Sequence, residues 1–252
     1  MSARSATCAL KTIVPGCEDL APGHQLERHR HLRAYAIVLM RGCFDQVGYA
    51  GRVRVRVGDL LIQPTLDAHS NRMPWARGAT LLRLPWRDGD GVGDVFALRD
   101  LDAVVHAAER DVGGAARVAR AQWLEHPAPR GAANDLPDRL AADLVAGNVG
   151  SLEGWAVQLG VARETVSRAF STAFGVSARQ FRGELRARAA WLRIVRTRAG
   201  LAEIAVASGF ADQAHMTRSV CALTGQSPAA WRRDQRACGL FRAADGPDDD
   251  AR

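Results

Sequence analysis

Apolar residues along this chain keep two rhythms. Between His24 and Trp86 they come in short runs: Ala34 to Met40 is nearly continuous, Leu60 to Gln63 and Thr80 to Leu84 are shorter, and Arg52 to Val57 alternates arginine with valine. A period of two sets one face against a core and the other in water, so this stretch predicts strands of a sandwich or barrel wall. Gly58-Asp59 and Pro64 punctuate it as turns. A further short strand is predicted near Thr12 to Val14. From Val95 to Trp123 the spacing becomes helical. Phe96, Leu98, Leu101, Val104, Val105 and Ala108 form one segment and Ala115 to Leu124 another, with Gly113-Gly114 between them.

The last third repeats itself. Ala156 and Gly160 recur as Ala205 and Gly209, 49 positions on, and Arg168, Gly175, Ser177 and Phe181 recur as Arg218, Gly225, Ser227 and Trp231, 50 positions on. The second copy therefore has one extra residue after its first glycine. Each copy reads as a helix-turn-helix, with a small residue where two helices approach and a glycine where the turn needs a left-handed backbone. In the first, Ser151 is a plausible N-cap; Leu152, Trp155, Ala156 and Leu159 face inward, and Arg163 to Phe174 forms the second helix with Val166, Ala169, Phe170 and Phe174 inside. In the second, Leu201, Ile204, Ala205, Phe210, Met216 and Val220 supply the core. Between the copies Ala178 to Arg198 predicts an amphipathic helix with Phe181, Leu185, Ala189, Leu192 and Val195 apolar. At 1.5 Å per residue it is roughly 30 Å long, close to the ~34 Å of one DNA turn. Leu136 to Val145 predicts one more helix before the repeat.

Charge sharpens this picture. The net charge of +7 is unevenly placed: residues 150–236 carry thirteen arginines against six acidic residues, whereas residues 1–149 carry nineteen basic against seventeen acidic. The basic excess sits on the helix-turn-helix half, where counterion release from a phosphate backbone would use it. Exposed positions at the start of each second helix are the candidate DNA contacts: Arg163, Glu164, Ser167 and Arg168 in the first, Gln213, Ala214, His215 and Arg218 in the second, with Thr217 close to a phosphate. Arg168 and Arg218 suit bidentate contact with guanine; Glu164 can accept from cytosine or favour the helix N-terminus. Arg182, Arg186 and Arg188 read as solvent-facing or phosphate-contacting. The five cysteines are scattered without metal spacing, which fits a reducing cytoplasm and argues against a DNA-repair fusion needing a zinc-bound thiolate. No apolar run is long enough to span a bilayer and no signal peptide opens the chain, so a soluble, cytoplasmic protein with no membrane partner is expected.

Residues 151–233 resemble the tandem helix-turn-helix domain of the AraC/XylS family of transcription regulators. The resemblance runs through Ile204-Ala205, Ser208 to Arg218, Gly225-Gln226-Ser227-Pro228 and Trp231-Arg232; Met216 and Val220 stand where phenylalanine is usual, and Cys221 where a basic residue is common. It implies double-stranded DNA as partner, RNA polymerase if the protein activates, and base contacts at the positions named above.

The N-terminal part is similar to the cupin barrel, the usual sensory domain of such regulators. Gly23, His29-Arg30-His31 and Gly42 match the spacing of its first motif, and Gly58, Pro64 and His69 match the second more loosely. The resemblance implies a barrel-mouth pocket for a small-molecule effector around His29, His31, His69 and Tyr35, with Trp75, Trp86 and Tyr49 as further candidate lining. No cofactor is required, though the three histidines could hold a divalent transition metal; Tyr35 stands where the family's metal-ligating glutamate is expected. The expected fold is α+β: a cupin-like barrel with cover helices over residues 1–125, a linker at 126–134, an all-α DNA-binding domain of two helix-turn-helix motifs joined by a long helix over 135–236, and a disordered tail at 237–252. The cover helices either shield the barrel or form a homodimer interface. The leading functional expectation is a sequence-specific, effector-responsive transcription regulator that is not an enzyme; the alternative is a metal-dependent cupin enzyme fused to a DNA-binding domain.

Overall fold

The apolar run near residues 35–40 is continuous because the strand it forms is covered on both faces. A computed structural model describes residues 9–86, 94–125 and 134–238, and the chain divides into two compact units, 1–178 and 179–252. The first unit opens with strands β1 (Ala9–Leu10), β2 (Gly16–Leu20), β3 (Gln25–Arg30), β4 (Tyr35–Arg41), β5 (Cys43–Gly48), β6 (Gly51–Arg56), β7 (Asp59–Gln63), β8 (His69–Arg72), β9 (Ala79–Pro85) and β10 (Val95–Ala97). They form two five-stranded sheets, ordered β1-β3-β8-β5-β6 and β10-β7-β4-β9-β2. Among the described residues no ladder joins one sheet to the other, so the expected barrel is not closed. The edge strands β1 and β10, with two and three residues, are too short to carry a ladder across.

Tyr35, Ile37 and Leu39 point between the sheets and pack with Phe44, Val55, Leu61, Met73 and Leu81. Ala36 and Val38, on the other face of β4, meet Leu60, Leu82 and Leu84 and the helices α1 (Leu101–Ala108) and α2 (Val112–Glu125) through Val104, Ala115 and Ala119. These helices cover a sheet face, one of the two roles expected of them. On β6, by contrast, Val55 is buried while Arg54 is exposed and pairs bidentately across the strand with Asp45 at 2.7 and 2.9 Å.

Three sequence expectations are corrected. No strand forms at 12–14; pairing instead uses residues on either side of it. Val95–Ala97 is a strand, antiparallel to β7, because its short apolar stretch closes a sheet edge. Gly113-Gly114 does not separate two helices but sits in the first turn of α2, where the Asp111 carboxylate accepts both amides at 3.0 and 2.6 Å. The strands β3 and β8 carry too few apolar residues to stand out by pattern.

The first unit continues with α3 (Leu136–Ala146), α4 (Leu152–Gln158) and α5 (Arg163–Phe174). Asp135 caps α3, whose end is a left-handed Gly147 at φ 76°. Arg52 of β6 donates to Asp138 from its backbone amide at 3.1 Å and from its guanidinium at 2.7 Å, and also pairs with Asp135. The second unit holds α6 (Ala178–Arg196), α7 (Leu201–Ala207), α8 (Gln213–Thr224) and α9 (Pro228–Cys238). In α6 the buried stripe is Phe181, Ala187, Ala190, Trp191, Ile194 and Val195. Ala189, expected inside, is exposed; the bulk of Trp191, set edge-on to Trp231 at 5.5 Å, fixes the inward direction. Most of the expected linker, residues 126–133, and the expected tail beyond Cys238 lie outside the described residues.

Arg52→Ala should lower the unfolding free energy by roughly 2–4 kcal/mol, between the exposed and fully buried cases for an ion pair, because it strands a buried Asp138 carboxylate. Adding Asp138→Ala should recover part of that loss. Urea denaturation of the single and double variants measures both effects.

Candidate nucleic-acid interface and histidine cavity

The two helix-turn-helix copies are built by the same backbone bonds. After α4, Gly160 is left-handed at φ 63° and Val161 donates back to the Ala156 carbonyl at 3.1 Å. After α7, Gly209 is left-handed at φ 73° and Phe210 donates to Ala205 at 2.9 Å. Both second helices then end on a left-handed glycine, Gly175 and Gly225, at φ 69° and 78°. A side chain at these turns would strain the backbone, which is why glycine recurs there.

The extra residue of the second copy has a structural use. Ala162 precedes α5 without a side-chain cap, whereas Asp212 precedes α8 and accepts the His215 amide at 2.6 Å. The cap satisfies an amide that helix geometry leaves unpaired.

Each second helix is anchored along one stripe. Val166, Phe170 and Phe174 are buried on α5; Met216, Val220 and Leu223 are buried on α8. Opposite these stripes, Arg163, Glu164 and Arg168 are exposed and Ser167 is half-buried; on α8, Gln213, Ala214, His215 and Arg218 are exposed and Thr217 is half-buried. Arg163 lies 3.7 Å from Glu153 and 3.4 Å from Glu164, exposed pairs that hold it weakly. Arg168 and Arg218 make no ion pair among the described residues. The His215 ring packs edge-on to Phe210 at 5.2 Å.

The arginines of α6 have a role that the sequence did not disclose. Arg186 donates to the Gly209 carbonyl at 2.9 Å and lies over the Phe210 ring at 5.8 Å; burial pulls its guanidinium pKa down. Arg193 bonds the Ala207 carbonyl and, at 3.2 Å, the Ser208 hydroxyl. Together they satisfy carbonyls at the end of α7 and fix the second turn. Arg188 is buried. The expected solvent or phosphate position is thus corrected for Arg188 by its burial and for Arg186 by its inward bond. The seven-residue spacing of Arg186 and Arg193, which puts them on one helix face, was the available signal.

In the first unit His29, His31, His69 and Tyr35 come together. His29 and His69 are paired across β3 and β8, and their ring centroids are 4.4 Å apart; His31 is 4.9 Å from His29 and 5.5 Å from His69. Each Nδ1 faces a backbone carbonyl: His29 that of Glu27 at 2.7 Å, His31 that of Lys11 at 2.8 Å and His69 that of Asp67 at 3.1 Å. A carbonyl only accepts, so each Nδ1 carries the proton and each Nε2 keeps its lone pair. Tyr35 donates its hydroxyl to His69 Nε2 at 3.2 Å. Burial lowers all three imidazole pKa values, that of His31 to about 4, and raises that of the Tyr35 phenol. The loop leading to His69 is strained: Leu66 sits at φ 57°, held by its buried side chain and by its amide bond to the His31 carbonyl at 2.8 Å.

Of the aromatics expected around this pocket, Tyr35 alone lines the cavity of about 220 Å³ beside the histidines. Trp75 is 75% exposed, Trp86 packs with Trp123 at 5.9 Å on the helical side of the sheet, and Tyr49 lies under Arg28. Aromatic identity alone does not tell which sheet face a ring occupies.

Two basic, exposed reading faces on tandem helix-turn-helix units define a DNA-binding protein. Residues 155–234 match the family model described as "Helix-turn-helix domain". Among solved structures, the chain is similar to unsaturated fatty acid bound wild-type ToxT from Vibrio cholerae strain SCE256, with 10% identity, 91% of this chain and 97% of that one covered, and a TM-score of 0.41. It is similar to the C-terminal domain of AraT, a response regulator from Geobacillus stearothermophilus, with 19% identity, 46% and 93% covered, and a TM-score of 0.38. It is also similar to the DNA-binding domain of AdpA, a global transcriptional factor, in complex with a target DNA, with 23% identity, 41% and 96% covered, and a TM-score of 0.38. No curated protein sequence matches the chain. With these TM-scores below 0.5, the assignment rests on the match over 155–234 and on the repeat. Residues 155–234 form a helix-turn-helix domain of the DNA-binding type. Among the described residues no helix is long and apolar enough to cross a membrane.

Asp212→Ala should cost about 1 kcal/mol of stability through loss of the α8 cap. Thermal denaturation of the variant beside the parent chain measures it; an unchanged midpoint would show that the α8 N-terminus does not depend on this carboxylate.

Proposed function

We propose that the chain reads DNA sequence with α5 and α8 and that a small molecule bound in the first unit sets its occupancy on DNA. The repeated motif carries the first part. Each copy buries one stripe of its second helix and leaves the polar face of the first turns exposed. In this reading Arg163, Glu164, Ser167 and Arg168, and Gln213, Ala214, His215 and Arg218, meet base edges, while Thr217 meets a phosphate. Arg168 and Arg218 are the principal readers, since a guanidinium matches the O6 and N7 acceptors of guanine. Arg186 and Arg193 act from behind by fixing the turn that aims α8.

A groove of about 840 Å³ supports the second part. It is lined by Gln46, Asn71, Arg52, Arg54, Arg56 and Arg72, among other residues. This is the size of a small-ligand site, and its lining sets Arg52, Arg54, Arg56 and Arg72 beside Glu27 and Asp45, of which Asp45 pairs with Arg54. Arg52 both lines the groove and holds Asp138 of α3. A ligand that recruits Arg52 therefore loosens the entry of α3, which packs on α5.

Sequencing the DNA fragments retained by the purified chain identifies the cognate site. At that site Arg218→Ala should weaken binding by roughly 1–3 kcal/mol and relax preference at one base position, with little change at the others. An equal loss on all sequences would remove Arg218 from the base-reading set.

A further inference from the structure

We infer that Arg52 and Asp138 are positioning residues for the first reading helix alone, so that a signal in the sheets alters the α5 half of a DNA site and spares the α8 half. This rests on the base-reading role proposed above for both helices. The boundary between the two compact units, at Ala178 and Arg179, falls between the helix-turn-helix copies. The first copy, α4 and α5, shares its unit with the two sheets; the second, α7 and α8, does not.

Within the first unit α5 packs on α3 and on β5, and α3 packs on β6. The contact of α3 with β6 is more than a surface ion pair. β6 is an edge strand, and an edge strand turns every second amide away from its ladder. The Arg52 amide is one of these, and the Asp138 carboxylate accepts it at 3.1 Å. The same carboxylate accepts the Arg52 guanidinium at 2.7, 3.2 and 3.3 Å, and its side chain is only 3% exposed. Asp138 lies in the first turn of α3, beside the cap residue Asp135, which also pairs with Arg52. Backbone and side chain of one sheet residue thus hold the start of α3. Further along the helix Asp143 accepts the Trp155 indole N–H of α4 at 2.7 Å, and Leu140, Ala141 and Leu144 are buried. The helix that the sheet holds is the one on which the first copy is built.

Helix α8 is aimed by other means. Its cap Asp212, and Arg186 and Arg193 behind its turn, all belong to the second unit. In the first copy α5 starts after Ala162 without a side-chain cap, so its direction depends on the helices beneath it. Arg52 also lines the groove on the sheet, where Arg54 is taken by Asp45. An event in that groove therefore meets α3 at Arg52.

The test uses the full chain. Beside the parent, Arg52→Ala should quicken amide hydrogen exchange by about tenfold or more in α3 and α5 and leave α7 and α8 unchanged. On the cognate site, bases whose preference Arg168→Ala relaxes mark the α5 half, and those that Arg218→Ala relaxes mark the α8 half. Arg52→Ala should lower discrimination in the α5 half by about fivefold or more, the low end of one base contact. In the α8 half the change should stay below about twofold. Asp138→Asn, which keeps an acceptor for the Arg52 amide, should give the same half-selective pattern if Arg52→Ala does not fold. Equal quickening in α5 and α8, or none in α5, refutes the inference, as does an equal loss in both halves of the site. If neither Arg168→Ala nor Arg218→Ala relaxes any base, the base-reading role falls, and the exchange pattern still decides whether Arg52 positions α5.

Discussion

A helix that must present its first turns to a polymer outside the protein can be held only from behind. That constraint governs α5 and α8. Each keeps one apolar stripe and leaves the opposite face uncommitted. Anchoring by Phe170 and Phe174, stacked at 4.5 Å, or by Met216 and Val220 fixes each helix rotationally without using a polar group that DNA would need. The turn before each helix must then be rigid, since any slack there moves its whole exposed face at once.

The two copies reach that rigidity by different means. Both share the left-handed glycine and the amide bond back to the small alanine. The second adds an acidic cap and two arginines from α6 that take up the carbonyls at the end of α7. A guanidinium bonding a carbonyl satisfies an acceptor that helix geometry leaves open. Arginine abundance on this half thus has two physical meanings: some of the charge faces solvent, and some is structural.

The first unit poses a different problem, since it buries polar groups between two sheets. His29, His31, His69, Gln46, Gln63 and Asn71 are all buried, and Gln63 donates to Gln46 at 2.6 Å. Buried polar groups cost stability unless satisfied, and most here are. Among the described residues, acceptors without a hydrogen-bond partner remain at His31 Nε2, Gln63 Oε1 and Asn71 Oδ1. On the outside of the sheets, Arg52 ties β6 to α3 through Asp138 and Asp135.

Periodicity and spacing by themselves determined the helix-turn-helix repeat, the bounds of α5, the Ser151 cap and the strands β4, β6, β7 and β9. Those features depend on local physics: a left-handed turn needs glycine wherever it occurs, and a strand or helix with a buried face shows its period in the chain. The exposed faces of α5 and α8 were legible for the same reason. Only the tertiary structure decided that the sheets stay open, that Val95–Ala97 joins one of them, that Ala189 faces out and Arg188 in, and that Trp86 belongs to the helical side. The clustering of His69 with His29 and His31, by contrast, was already expected from the spacing of the two motifs, and the structure brings the three together. Each of the other placements depends on which distant segment arrives opposite, and no local pattern carries that information.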